Sequence, residues 1–205
     1  YGMITMIDDA VGRILATLEA TGLAENTVVI FNTDHGDFMG DHQLLLKGAL
    51  HYRGLIRVPF IGADPAAPET AGHVSGEMCG TLDIGATVLD RAGLAPHNGN
   101  QGRSLLGPGD GERPVVIEEH QRRGYMGFNH GFRARTLMGQ RYRMTIYEDA
   151  NGFGELYDLE DDPAEQNNLF DHAAHGELRH ALTEELLHRL IGLTDTSPLA
   201  TNHGP

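Results

Sequence analysis

In the stretch Asn32-Thr33-Asp34-His35-Gly36-Asp37, followed by Gly40-Asp41-His42 and Lys47-Gly48, a carboxylate, an imidazole and a lysine fall close together in the chain. A carboxylate beside a neutral imidazole suits a divalent cation. Oxygen donors favour hard ions such as calcium, and the imidazole widens the choice to manganese or zinc. Asp34 and His35 are therefore the candidate metal ligands, and further donors must come from elsewhere. Lys47 adds a compact positive charge that can hold an anionic oxygen. Beside a metal, such a charge stabilises a sulfate or phosphate ester as charge builds on it. His42, His51 and Tyr52 lie in the loop around Lys47. His51 is taken with Lys47 as a substrate contact.

These residues need elements to position them. Val28-Val29-Ile30-Phe31 is a short apolar run with β-branched residues, the pattern of a strand buried on both faces of a parallel sheet. In open α/β sheets, ligands bind beyond the carboxyl ends of the strands, where Asp34 and His35 stand. Neighbouring strand residues point to opposite faces, so the two can share one ion only if the chain leaves the pleat, which Gly36 permits. Upstream, Ile4, Ile7, Val11, Ile14, Leu15 and Leu18 recur at helical spacing and are expected as core. Gly22 is expected to cap that helix. Helix and strand make half of a βαβ unit whose other strand would lie upstream. Val58 to Ile61 is predicted as a further strand, with Pro59 near its start, and Leu82 to Ala92 as a second helix closed by Gly93.

Composition narrows the function classes. A formal charge of −14 argues against nucleic-acid backbones and anionic membranes as partners. One cysteine excludes an internal disulfide framework, which suits the cytoplasm slightly better than the periplasm. No apolar run is long enough to span a membrane as a helix. The 205 residues provide for a substantial core, in one or two domains.

After a Gly/Pro/Asn/Asp-rich connection from Ala95 to Arg113, the pattern changes to short strands at Val115–Ile117, Arg133–Leu137, Arg141–Tyr147 and Glu155–Leu159. A hairpin is expected at Met138-Gly139-Gln140. A last helix carries Leu178, Leu182, Leu186, Leu187 and Leu190 on one stripe, and the polar tail from Thr194 to Pro205 lacks periodicity. Strands followed by a helix predict an antiparallel α+β unit. Glu118, Glu119 and His120 are expected as a solvated strand end, and Arg133 and Arg135 as partners for surplus acids. His180 and His188 lack the spacing of a helical zinc pair.

Taken in order, Thr33-Asp34-His35-Gly36, Gly40-Asp41-His42, Lys47-Gly48 and Arg57-Val58-Pro59 resemble the type I, formylglycine-dependent sulfatases of the alkaline phosphatase superfamily. The likeness extends upstream to Ile7-Asp8-Asp9-Ala10-Val11-Gly12. Downstream it extends to Thr81-Leu82-Asp83-Ile84, Gln101-Gly102-Arg103-Ser104-Leu105 and Glu155-Leu156-Tyr157-Asp158-Leu159 with Asp162-Pro163 and Glu165. The Asp-His pair resembles the branch holding choline-sulfatase-like enzymes and phosphonate monoester hydrolases.

The resemblance implies an α/β fold: the C-terminal part of a mostly parallel sheet flanked by helices (residues 1–110), plus a small antiparallel α+β subdomain (residues 111–205). It implies Asp34 and His35 on a metal, calcium first and manganese second, and Lys47 on the ester's charged oxygens. The activity it implies is metal-dependent hydrolysis of small-molecule sulfate esters. Phosphodiester or phosphonate monoester hydrolysis is the alternative, and a non-catalytic remnant a third reading. A homo-oligomer is left open. The family's nucleophile comes from a Cys/Ser-x-Pro/Ala-x-Arg motif. Neither Cys79, in Cys79-Gly80-Thr81-Leu82-Asp83, nor Ser75, Ser104 or Ser197 stands in one. The chain is thus expected to be a C-terminal fragment, inactive alone. Arg53 stands where the family often has Glu.

Overall fold

The computed structural model describes residues 1–97, 99–106, 113–124, 129–148 and 150–194. It divides into two compact units, Tyr1–His35 with Arg57–Ser75 and Gly36–Ile56 with Gly76–Pro205.

The first unit opens with helix α1, Gly2–Ala20. Gly22 ends it as expected: at φ 72° its N–H bonds the Glu19 carbonyl, and the Leu23 N–H reaches the Leu18 carbonyl. This paired closure satisfies carbonyls that the helix end leaves open, and its left-handed residue favours glycine. The apolar stripe of α1 is not core. Ile4, Ile7 and Ile14 are exposed, and no residue of α1 is buried. An amphipathic pattern shows that a face is suited to cover, not which element covers it.

Strand β1, Val29–Asn32, pairs antiparallel with β2, Phe60–Ala63, in register from Val29 opposite Ala63 to Asn32 opposite Phe60. The expectation of a strand buried on both faces of a parallel sheet is corrected here: β1 is half-buried throughout, and its one partner among the described residues runs the other way. Continuous apolar runs report burial, not strand direction. β2 starts directly after Pro59, whose missing N–H keeps it out of the ladder.

The second unit holds the short helix α2, Arg53–Ile56, and helix α3, Leu82–Arg91. Gly93 at φ 69° closes α3 in the manner of Gly22. Among the described residues four strands follow: β3 Val115–Gln121, β4 Phe132–Met138, β5 Tyr142–Tyr147 and β6 Gly154–Asp158. They form one antiparallel meander in chain order, and helix α4, Gly176–Gly192, comes last. The expected hairpin is present, closed by the Gly139 N–H on the Tyr142 carbonyl. Glu118, Glu119 and His120 lie within β3 rather than after it. Glu118 bonds Arg135 at 2.7 Å and Arg133 meets Glu148 at 3.3 Å, so these arginines do pair with acids.

Strand alternation gives this sheet two different faces. Leu137, Met144 and Leu156 point to one side and pack with Leu178, Leu182, Leu186 and Leu190 of α4. Leu187, expected on the same stripe, is exposed. It follows Leu186 by one residue, a step of about 100° around the helix. The other face carries Thr136, Arg143, Thr145, Glu155 and Tyr157, all buried. The expected tail beyond Thr194 lies outside the described residues.

Candidate functional site

Asp34 and His35 follow β1 at once, where the chain leaves the pleat. That exit lets the two side chains turn together: His35 Nε2 lies 3.4 Å from Asp34 Oδ2. The His35 backbone N–H donates to Asp34 Oδ1 at 3.0 Å, and the Thr33 hydroxyl to the same oxygen at 3.3 Å. The His35 N–H, followed by the His35 imidazole and the Thr33 hydroxyl, holds the Asp34 carboxyl below the usual carboxylate range despite opposition from burial. A deprotonated, exposed carboxylate with an imidazole nitrogen beside it fits one edge of a divalent-cation site. It does not complete one: among the described residues, no three His, Cys, Asp or Glu side chains form a group that could hold a metal.

Gly36 begins the second unit under tight constraint. Its N–H donates to the Leu55 carbonyl at 2.7 Å, and a Cβ there would stand 2.0 Å from the Gly54 carbonyl oxygen. The obstacle is backbone, which cannot swing aside, so the glycine is required by close approach.

The loop that follows carries Lys47, which is exposed. Its backbone is unusual: Met39, His42, Gln43 and Leu46 all have φ between 49° and 63°. Each non-glycine residue in this left-handed region costs on the order of 1 kcal/mol and persists only where its surroundings over-determine it. Such surroundings exist. Phe38 is 1% exposed, and its N–H bonds the Leu46 carbonyl at 2.9 Å. Ala49 is buried against Phe132, Ala134 and Tyr147.

His51, Tyr52 and Arg53 are then gripped by the polar face of the sheet. His51 Nδ1 is 2.8 Å from the Thr136 hydroxyl, which is 2.6 Å from that of Thr145. Arg143 Nη1 donates to Thr145 Oγ1 at 2.9 Å and to Glu155 Oε2 at 2.8 Å. Arg143 Nε donates to Glu165 Oε1, while Glu165 Oε2 accepts the Arg53 N–H at 2.7 Å. The guanidinium lies 5.0 Å from the Tyr52 ring centre and 4.7 Å from that of Tyr157, and His42 stacks on Tyr52 at 3.7 Å. Burial opposes the Arg143 charge, but Glu155 and Glu165 together outweigh it and raise its pKa. Beside this cluster, Asp41, His42, Tyr52, Arg53, Pro163 and Gln166 contribute to the lining of a cavity of about 320 Å³.

Glu155, Tyr157 and Glu165 stand among the residues that carry the resemblance, but the sequence reading gave them no role and did not join them to Arg143. The signal was available: Arg143 and Thr145 share an inward face, opposite Tyr157 and Glu155 in the next strand. His51, expected as a substrate contact, is only 4% exposed and is turned to Thr136. Burial, and then the Arg143 charge, push its pKa down to about 4. A neutral buried histidine binds its proton more readily once unfolded, so stability is complete above the unfolded pKa and is lost as pH falls from there toward 4. Lowering the pH from about 7 to about 5 should cost about 2 kcal/mol through His51 alone. Urea unfolding at the two pH values, compared with His51→Gln, checks this: the variant should lose that part of the pH dependence, and an equal dependence in both proteins contradicts it. Cys79 is half-buried, and burial, then Asp83, raise its pKa, which leaves the thiol protonated and unreactive.

Comparison with known proteins shows the family. Residues 40–191 match the family described as N-sulphoglucosamine sulphohydrolase, C-terminal. The chain belongs to the type I sulfatase family. This sulfatase chain is 34% identical over 212 residues to an arylsulfatase of Clostridium perfringens, covering 97% of itself and 42% of the relative. It is 31% identical to a Delta 4,5-hexuronate-2-O-sulfatase of Bacteroides thetaiotaomicron, covering 98% and 44%. Among solved structures, the phosphonate monoester hydrolase of Agrobacterium radiobacter superposes with a TM-score of 0.85 at 28% identity, over all of this chain and 44% of that one. The chain thus spans less than half the length of the curated relatives it matches. Its fold is the C-terminal part of the alkaline-phosphatase-like sulfatase fold. Among the described residues, no helix is long and apolar enough to cross a membrane.

Proposed function

We propose that the whole protein to which this chain belongs hydrolyses sulfate esters of small molecules in a metal-dependent reaction. The observation that carries the reading is the Asp34–His35 pair at the end of β1, a deprotonated carboxylate and an imidazole 3.4 Å apart, in a chain of the sulfatase family. In the proposal, Asp34 and His35 supply two donors to a divalent cation, calcium first and manganese second. When bound, that cation supplies a Lewis acid that polarises sulfate oxygens. Lys47 presents its ammonium to the ester's negative charge as it builds. His51, enclosed against Thr136, holds the Lys47 loop rather than meeting substrate directly.

Residues 1–110 then form part of the catalytic α/β domain and residues 111–205 a small subdomain. The isolated chain is inactive in this reading, because no Cys or Ser in it stands in a nucleophile motif. A cytoplasmic setting, slightly preferred over the periplasm, suits its single cysteine.

Phosphonate monoester hydrolysis is the second reading, favoured by the likeness to the Agrobacterium radiobacter enzyme. Both ester classes carry one negative charge, so a metal and a lysine serve either. The full gene product, assayed on an aryl sulfate and on a phosphonate monoester, is expected to show the higher kcat/KM on the sulfate. The reverse order assigns it to the second reading, and turnover of neither removes both.

A further inference from the structure

Lys47 stands between two fixed points. Upstream, the Leu46 carbonyl is held by the Phe38 N–H. Downstream, Ala49 is buried, and three consecutive residues, His51, Tyr52 and Arg53, are engaged by the network centred on Arg143. Each is engaged in a different way: a hydroxyl chain to the imidazole, a guanidinium against the ring, and a carboxylate on the backbone N–H. Stability alone is a poor reason for such an arrangement. Arg143 is 0% exposed and Glu155 and Glu165 are each 3% exposed. Buried ion pairs are commonly matched or exceeded in stability by apolar side chains of the same volume. Directed bonds to three successive residues supply something apolar packing does not, namely a fixed register of the loop on the sheet. That loop includes four left-handed non-glycine residues, which a loosely held backbone would abandon.

We propose that Arg143 is a positioning residue for Lys47: through Thr145, Thr136, Tyr52 and Glu165 it locks the backbone of residues 51–53, and thereby the place where the Lys47 ammonium stands. This rests on the role given to Lys47 above. The guanidinium fork is essential to it, because one Nε and one Nη address two carboxylates at once. Lysine keeps the charge but not the fork.

The test is a double-mutant cycle in the full gene product, with Lys47→Ala, Arg143→Lys and the pair assayed on an aryl sulfate. Arg143→Lys is expected to lower kcat by about 10-fold or more with the lysine present, since small misplacements of a charge that acts in the transition state are costly. It should change kcat little when Lys47 is already alanine. Amide exchange at Arg53 should quicken in Arg143→Lys while that of α4 stays unchanged. A purely structural role lowers the active fraction equally in both backgrounds, so equal losses overturn the proposal. Wild-type turnover in Lys47→Ala alone is a different result: it removes the role of Lys47 itself, and the positioning role with it. Should Arg143→Lys fail to fold, Glu165→Gln carries the same cycle, because it retains an acceptor for the Arg53 N–H while losing the charge that Arg143 meets.

Discussion

Arg143→Ala is expected to destabilise the chain by about 3–5 kcal/mol, the cost of removing one partner from a buried ionic group. The substitution leaves Glu155 and Glu165 enclosed with their charges uncompensated, each only 3% exposed. It also removes the donor to Thr145 and the cation packed against the Tyr52 and Tyr157 rings. For a chain of this size the loss corresponds to a fall in Tm on the order of 10 °C. Combining Arg143→Met with Glu155→Gln and Glu165→Gln is expected to cost far less. No isolated charge is left, and the glutamine that replaces Glu165 can still accept the Arg53 N–H. Thermal or urea unfolding of the two proteins compares them directly. A loss below about 1 kcal/mol in Arg143→Ala contradicts the account of the network as a coupled ionic group.

What the sequence made legible follows from the range over which each signal acts. Helix ends at Gly22 and Gly93 were readable because a left-handed cap is a local demand. The four strands of the second unit were readable because alternation and turns are local too. The direction of β1 was not, since an apolar run is the same in a parallel or an antiparallel pair. The exposure of Ile4, Ile7 and Ile14 was equally hidden, because amphipathicity does not name its covering element. Asp34 and His35 were singled out as metal ligands from adjacent residue types and a following glycine, and the structure brings their side chains within 3.4 Å, while the shared ion is the proposal. The close approach of Gly54 that makes Gly36 necessary joins positions far apart in the chain. The Arg143 network was missed for the same reason: Glu165 reaches Arg53 across more than a hundred residues, a contact no periodicity encodes.

The second large effect is expected at Asp34. Asp34→Ala removes one of the two candidate donors, and with it the carboxylate that the His35 N–H holds deprotonated. Loss of a group that only orients a metal ligand typically costs 10–100-fold in affinity or activity. Loss of the ligand itself should therefore lower kcat/KM on an aryl sulfate by at least about 100-fold in the full gene product. The fold should survive, because the Asp34 side chain is 81% exposed and its hydrogen bonds are made with its neighbours Thr33 and His35. Retained structure with lost turnover separates this variant from Arg143→Ala, where structure goes first. Aspartate replaced by asparagine should fall between, since the amide keeps one neutral oxygen donor and loses the charge.

The most direct measurement is the metal content of the purified full gene product and of its Asp34→Ala variant, determined by elemental analysis alongside turnover of an aryl sulfate. The expected result is a bound divalent cation and turnover in the parent, with both lost in the variant while its circular dichroism is unchanged. A variant that keeps both its metal and its turnover contradicts the assignment of Asp34 as a ligand and, with it, the site on which the proposed hydrolysis depends.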